Sequence, residues 1–170
     1  MLRSHPPRLL PLVAACCVLV VALNGAAAEG ERPAWVPEEH VVGPLPLERL
    51  PERLPEWHAV AERHTPEPDV VEWLREARPA HVEILFATWC PDSFDHVPPL
   101  LSALAAADNP DLSVELIGLD RDKMEPGGRG LLREIERVPT VVVLREGREV
   151  GRVVETPETS MDRDVARILR

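Results

Sequence analysis

Cysteine is scarce in this chain. Its 170 residues include three cysteines, and Cys16 and Cys17 lie together in an apolar N-terminal segment, far from Cys90. If that segment is removed, Cys90 is the only thiol left and no internal disulfide can form. The fold must then be held by a hydrophobic core, which a domain of about 100 residues is large enough to build. A single leftover thiol of this kind is a candidate functional group.

The N-terminal apolar stretch is shorter than an ordinary membrane span. It covers residues 9–23, whereas a spanning helix needs about 20 apolar residues. Two arginines precede it, and Ala26-Ala27-Ala28 follows it as a small-residue cleavage site. This order is typical of a secretory signal peptide over residues 1–28. We therefore expect an exported protein, either periplasmic or secreted.

Two alternatives for this segment stay open. Residues 9–23 could be retained as a membrane anchor. Val13-Ala14-Ala15-Cys16 also resembles a lipobox, in which case Cys16 would carry a lipid. Contact with a membrane is expected only if the segment is retained or lipidated.

The chain has less positive than negative charge. Lys and Arg total 19 against 29 Asp and Glu, which gives a net charge of −10. An acidic surface argues against nucleic acid and anionic lipid as partners. Gly127-Gly128 lacks the strand-to-helix glycine pattern of nucleotide-binding sites. The histidines beyond the signal segment show no metal-ligand spacing with Cys90, so we expect neither a metal nor a cofactor; they are His40, His58, His64, His81 and His96.

Proline frequency divides the rest of the chain. Residues 29–66 are rich in Pro, Glu and Arg, and the prolines interrupt any long helix. We predict a partly ordered N-terminal extension here, with Trp35 and Trp57 docking on the domain; a plain linker is the alternative. Residues 67–170 are predicted to form the folded domain.

Hydrophobic periodicity predicts the elements of that domain. The expected order is α-β-α-β-α-β-β-α, which predicts a central mixed β-sheet flanked by helices. The predicted ranges are a helix near 70–77, a strand at 81–87, a helix at 94–107, a strand at 112–119, a short helix at 131–137, a strand at 139–144, a turn at 146–147, a strand at 149–154 and a helix at 157–169.

The candidate chemistry lies where the first of these strands runs into a helix. The sequence there is Ala87-Thr88-Trp89-Cys90-Pro91-Asp92-Ser93. Unpaired backbone N–H groups and the helix dipole favour an anion at a helix N-terminus, so Cys90 is placed to be a nucleophilic thiolate. Pro91 suits the first helical turn. Ser93, one turn further on, could hydrogen-bond the thiolate but cannot attack a mixed disulfide.

Residues 68–170 resemble the thioredoxin superfamily. The matching pieces are the buried strand leading into Trp89-Cys90-Pro91-Asp92-Ser93, then Val138-Pro139-Thr140, then the hairpin at Glu146-Gly147. The motif is also similar to that of an exported bacterial thioredoxin-like group with a Trp-Cys-x-Asp-Ser sequence. The resemblance implies a thioredoxin-like α/β fold and an active-site motif of Trp89, Cys90, Pro91, Asp92 and Ser93. It also implies that Pro139 is a cis-proline facing Cys90 and that the Val138 backbone pairs with an extended peptide substrate.

Two departures from standard thioredoxins bear on mechanism. Ser93 replaces the resolving cysteine, and Ile84 stands where the resemblance places a buried acid that assists proton transfer. The neighbouring Glu83 is expected on the other face of the strand. The sequence therefore predicts thiol–disulfide exchange through Cys90 alone, of the isomerase or thiol-dependent reductase type, with protein or small-molecule thiols and disulfides as partners. The alternative is a non-catalytic module that binds a peptide or protein partner.

Overall fold

The structure is a computed structural model that describes residues 32–170. The predicted signal peptide, its alternative anchor at residues 9–23 and the lipidation site Cys16 lie outside the described residues. Residues 32–170 form one compact unit. Within that range no helix is both long enough and apolar enough to cross a bilayer.

A mixed sheet forms the centre of the molecule, as the sequence predicted, but it has five strands where the sequence predicted four. The strand order across the sheet is β1-β3-β2-β4-β5. Strands β2 and β3 are parallel, and the other three pairs are antiparallel. The strands are β1 (Gly43–Leu45), β2 (Ala80–Phe86), β3 (Leu112–Gly118), β4 (Thr140–Arg145) and β5 (Arg148–Val154).

Six α-helices surround or connect the strands in the described residues. They are α1 (Leu50–Arg53), α2 (Pro55–Arg63), α3 (Pro68–Arg75), α4 (Pro91–Ala107), α5 (Arg129–Leu132) and α6 (Met161–Leu169). Helix α5 is shorter than the predicted helix at 131–137. The chain leaves it through Glu134, whose φ is +52°. The N–H groups of Glu134 and Ile135 donate to the carbonyls of Leu131 and Gly130, and this left-handed cap ends the helix.

The two faces of the sheet have different coverings. On one face, alternate β2 residues Val82, Ile84 and Phe86 are fully buried in a large apolar core to which α2, α3, α4 and α6 all contribute. On the other face, Leu85 belongs to a smaller cluster with Cys90 and Val138. We call these the main core and the thiol-side cluster.

The segment predicted as an N-terminal extension is built into this unit. Strand β1 pairs with β3, and Gly118 admits the chain there, because a Cβ at residue 118 would lie 2.2 Å from the Val41 carbonyl oxygen. Trp57 is fully buried, and its Nε1–H donates to the Trp35 carbonyl oxygen at 2.9 Å. The boundary drawn at residue 66 therefore does not mark a break in packing, because Trp57 belongs to the main core.

Candidate functional site

Cys90 lies at the junction between β2 and α4. Its N–H donates to the Ala87 carbonyl oxygen at 3.1 Å, which turns the chain after the strand. Cys90 then takes the N-cap position of α4 with an extended backbone (φ −98°, ψ 121°), and Pro91 occupies the first turn. Proline suits this place because the first N–H groups of a helix have no intrahelical acceptor. The thiol is thus held at the positive end of a 17-residue helix.

The Cys90 thiol contacts the residue before a cis-proline. Its Sγ–H donates to the Val138 carbonyl oxygen at 3.2 Å, and the Val138–Pro139 peptide bond is cis, as the resemblance implies. The cysteine side chain is 6% exposed and Val138 is buried. The fold therefore brings Cys90 to the Val138–Pro139 pair, although Cys90 and Val138 are 48 positions apart in the sequence.

Ser93 is fully buried and holds the end of β2. Its Oγ accepts the Ala87 N–H at 3.2 Å. The hydroxyl therefore makes a structural contact, whereas the sequence suggested one with the thiolate. Pro91 and Asp92 are exposed, so Asp92 is a first-turn acid that the helix dipole favours.

Trp89 packs against the thiol-side cluster, and the side chains of Arg121 and Lys123 lie over its ring. Its Nε1–H donates to the Leu119 carbonyl oxygen at 3.3 Å, which fixes the indole over the end of β3. The Arg121 guanidinium lies 5.0 Å from the ring centroid, and the Lys123 ammonium lies 5.7 Å from it. Both distances are in the range of cation–π attraction. Sequence reasoning missed this pair, because only folding brings the loop after β3 over the indole.

His40 and Val41, which precede β1, contact the loop between β2 and α4 at Thr88. The fully buried Thr88 Oγ1 accepts the Val41 N–H at 3.3 Å and lies 3.0 Å from His40 Nδ1. These contacts join residues 47 and 48 positions apart, so local spacing gave no signal of them.

The buried acid on β2 is already paired with two arginines. Glu83 is 2% exposed and accepts hydrogen bonds from Arg129 at 2.6 Å and from Arg133 at 2.6 and 3.0 Å. Burial alone would raise the pKa of Glu83, but the Arg133 hydrogen bonds and the charges of Arg133, Arg129 and His81 outweigh burial and lower it. Ile84 points into the main core on the other face, as alternation predicted. Neither residue offers Cys90 a general base.

The same ion-pair network includes a potential ligand set. His81, Glu83 and Glu115 bring ligand atoms within 4.8 Å of one another. Arg129 Nη1 contacts both carboxylates, at 2.6 Å from Glu83 and 2.9 Å from Glu115. A guanidinium thus occupies the position between the two acids, and we assign no metal to them. No sequence signal indicated this network, because the helix predicted at 131–137 does not include Arg129.

No protein-family model matches this chain, and no curated protein matches it. Among solved structures, a protein of unknown function from Pseudomonas aeruginosa is similar with 25% identity and a TM-score of 0.45, over 64% of each chain. A mutant thioredoxin from Halobacterium salinarum is similar with 16% identity and a TM-score of 0.39, over 62% of this chain and 84% of its own. Mitochondrial thioredoxin 3 from Saccharomyces cerevisiae is similar with 21% identity and a TM-score of 0.36, over 56% of this chain and 86% of its own.

The described chain has a thioredoxin-like α/β fold. Its mixed sheet has the order β1-β3-β2-β4-β5, with a helix starting directly after the central strand β2. Cys90 begins that helix and meets the residue before cis-Pro139.

Proposed function

We propose that this chain is an exported thioredoxin-like protein that performs thiol–disulfide exchange through Cys90 alone. The observation that carries the proposal is the 3.2 Å contact between Cys90 Sγ and the Val138 carbonyl oxygen, at the start of α4 and beside cis-Pro139. There a thiol at the end of a helix dipole adjoins a backbone edge with which an extended peptide can pair. A disulfide in such a peptide would come within reach of the thiol.

The reaction requires no cofactor. The Cys90 thiolate attacks one sulfur of a disulfide R–S–S–R′, which gives the mixed disulfide Cys90–S–S–R and releases R′–S⁻. Ser93 cannot displace R, because a hydroxyl does not perform this exchange. A second thiol, on the substrate or on a small molecule, must attack the mixed disulfide and regenerate the Cys90 thiolate. This sequence of steps suits isomerisation or thiol-dependent reduction.

The experiment is reduction of insulin with and without an added small thiol. Wild-type protein should form a long-lived adduct on Cys90, visible by intact mass, and should turn over only when a small thiol is present. Cys90→Ser should form no adduct. Ser93→Cys should gain turnover, though only in part, because Ile84 leaves proton transfer unassisted. Robust wild-type turnover without a small thiol would contradict the one-cysteine mechanism.

The alternative function is binding without turnover. It is favoured by the low exposure of Cys90, whose thiol is already hydrogen-bonded. In that case the backbone edge at Val138 would hold a peptide or protein partner. A Cys90 that stays unmodified by disulfides under native conditions would support this alternative. Trapping Cys90 adducts from the native compartment and identifying them by mass spectrometry separates the two functions.

Export is the part of the proposal that residues 1–28 support. Their order of two arginines, an apolar run and three alanines is that of a cleaved signal peptide. N-terminal sequencing of the protein from its host should begin at or near Glu29. A mature chain that starts at a lipidated Cys16, or that retains residues 9–23, would place the protein on a membrane instead.

A further inference from the structure

We propose that Arg121 and Lys123 make Cys90 selective for thiols and disulfides that carry a carboxylate close to the sulfur. This inference rests on the proposed function, since it names the class of partner that the Cys90 thiol would accept. The starting observation is that both cations lie over the ring of Trp89, at 5.0 and 5.7 Å from its centroid. Trp89 immediately precedes Cys90 and packs against the thiol-side cluster that contains it, so a substituent attached to Cys90 would approach both charges.

The loop that carries the two cations is firmly held. The Asp120 carboxylate accepts the N–H groups of Asp122 and Met124 at 2.9 and 2.8 Å, and the Lys123 N–H donates to the Asp120 carbonyl oxygen. Helix α5 packs closely against this loop at Gly130, because a Cβ at residue 130 would lie 1.9 Å from the Lys123 carbonyl oxygen. The two charges are therefore presented from a fixed backbone.

The charge of the two cations is available to a ligand. Within residues 32–170, neither Arg121 nor Lys123 forms a salt bridge, and the one hydrogen bond from Lys123 Nζ goes to the Arg121 carbonyl oxygen at 3.0 Å. The acids within two residues of Cys90, Arg121 or Lys123 are Asp92, Asp120, Asp122 and Glu125; backbone N–H groups donate to Asp120 and Glu125, and the other two are exposed. In a chain of net charge −10, Arg121 and Lys123 are two cations that lie against the residue before the thiol.

The selectivity is easiest to measure in the step in which a thiolate releases Cys90 from a mixed disulfide. Methyl methanethiosulfonate, CH₃–SO₂–S–CH₃, supplies the oxidising equivalent: the Cys90 thiolate attacks its sulfenyl sulfur, the S–SO₂ bond breaks, and Cys90–S–S–CH₃ forms with release of methanesulfinate. An attacking thiolate R–S⁻ then gives CH₃–S–S–R and the free Cys90 thiolate, so this step needs no further oxidant or reductant. A carboxylate in R would be attracted by Arg121 and Lys123 as it approaches, whereas an ammonium would be repelled.

The test measures release by mercaptopropionate, which is anionic, by the neutral mercaptoethanol and by the cationic cysteamine. Thiols differ in intrinsic reactivity, so the readout is the ratio of anionic to neutral rates in wild type divided by the same ratio in a variant. Arg121→Gln combined with Lys123→Gln should lower the anionic preference about threefold to tenfold, the size expected of two exposed charge pairs. Added salt should shrink the wild-type preference.

A matched control separates local from overall charge. Arg78→Gln combined with Arg148→Gln removes two exposed charges away from Trp89 and should leave the ratio near that of wild type. An equal fall in both double variants, or no fall in either, would overturn the selectivity while leaving exchange at Cys90 intact. Failure of all three thiols to release a formed adduct, or failure to form the adduct, would instead overturn the proposed function itself.

Discussion

The two faces of strand β2 lead to opposite environments. Ile84 enters the main core, to which α2, α3, α4 and α6 contribute buried apolar side chains. Glu83, one residue earlier, enters an ion-pair network with Arg129 and Arg133 on the face that also holds the thiol-side cluster. The helix-covered face supplies packing, whereas the other face holds the charges and the thiol.

This division explains why Cys90 lacks an assisting acid. Its own apolar surroundings include Leu85 and Val138, and the buried carboxylate further along that face is fully occupied by guanidinium groups. An acid at residue 84 would lie among apolar side chains without a partner, at a high cost in stability. The proposed exchange would therefore depend on an external thiol, because the Ser93 hydroxyl cannot displace a sulfur from a mixed disulfide.

The helix-covered face should be the more sensitive to loss of packing. Trp57→Ala removes a fully buried indole and its hydrogen bond to Trp35, so we expect the free energy of unfolding to fall by about 3–5 kcal/mol. Urea denaturation would measure the change. Trp73→Ala is the matched control, because Trp73 is half-buried beneath Arg163 and Arg170 and should cost less. Equal losses of unfolding free energy in the two variants would contradict the assignment of Trp57 to the main core.

Local signals predicted most of the fold but not the parts built by distant contacts. The apolar run at 81–87, the helical spacing after it and the strand-to-helix junction at Cys90 are local, so β2, α4 and the position of the thiol could be predicted. Strand β1 could not, because it has three residues, includes Pro44 and forms only by pairing at the sheet edge. The contact of Thr88 with His40 and the cations over Trp89 likewise exist only after folding.

On the face that carries the thiol, removing an ion pair should lower the free energy of unfolding by less than removing Trp57 does. Glu83→Gln leaves Arg129 and Arg133 without the buried carboxylate they share, and we expect a loss of about 1–3 kcal/mol in the free energy of unfolding. Glu115→Gln is the matched control on the neighbouring strand. Glu115 is 27% exposed and accepts a hydrogen bond from Arg129, so its removal should cost less than about 1 kcal/mol. A larger loss at Glu115 would show that burial does not set the strength of this network.

Acidic pH should reduce the difference in the free energy of unfolding between wild type and Glu83→Gln. The folded-state pKa of Glu83 is below its ordinary value, so the carboxylate contributes its full stabilisation above the unfolded-state pKa of about 4.3. As the pH falls through the lower folded-state pKa, Glu83 takes up a proton and that contribution is lost. Comparing the two proteins at each pH removes the effect of other acids, such as Asp69 and Glu149, whose pKa values are also lowered, by hydrogen bonds from Arg163 and Arg152. If the difference in the free energy of unfolding stays constant from neutral to strongly acidic pH, the charge of Glu83 contributes nothing to stability.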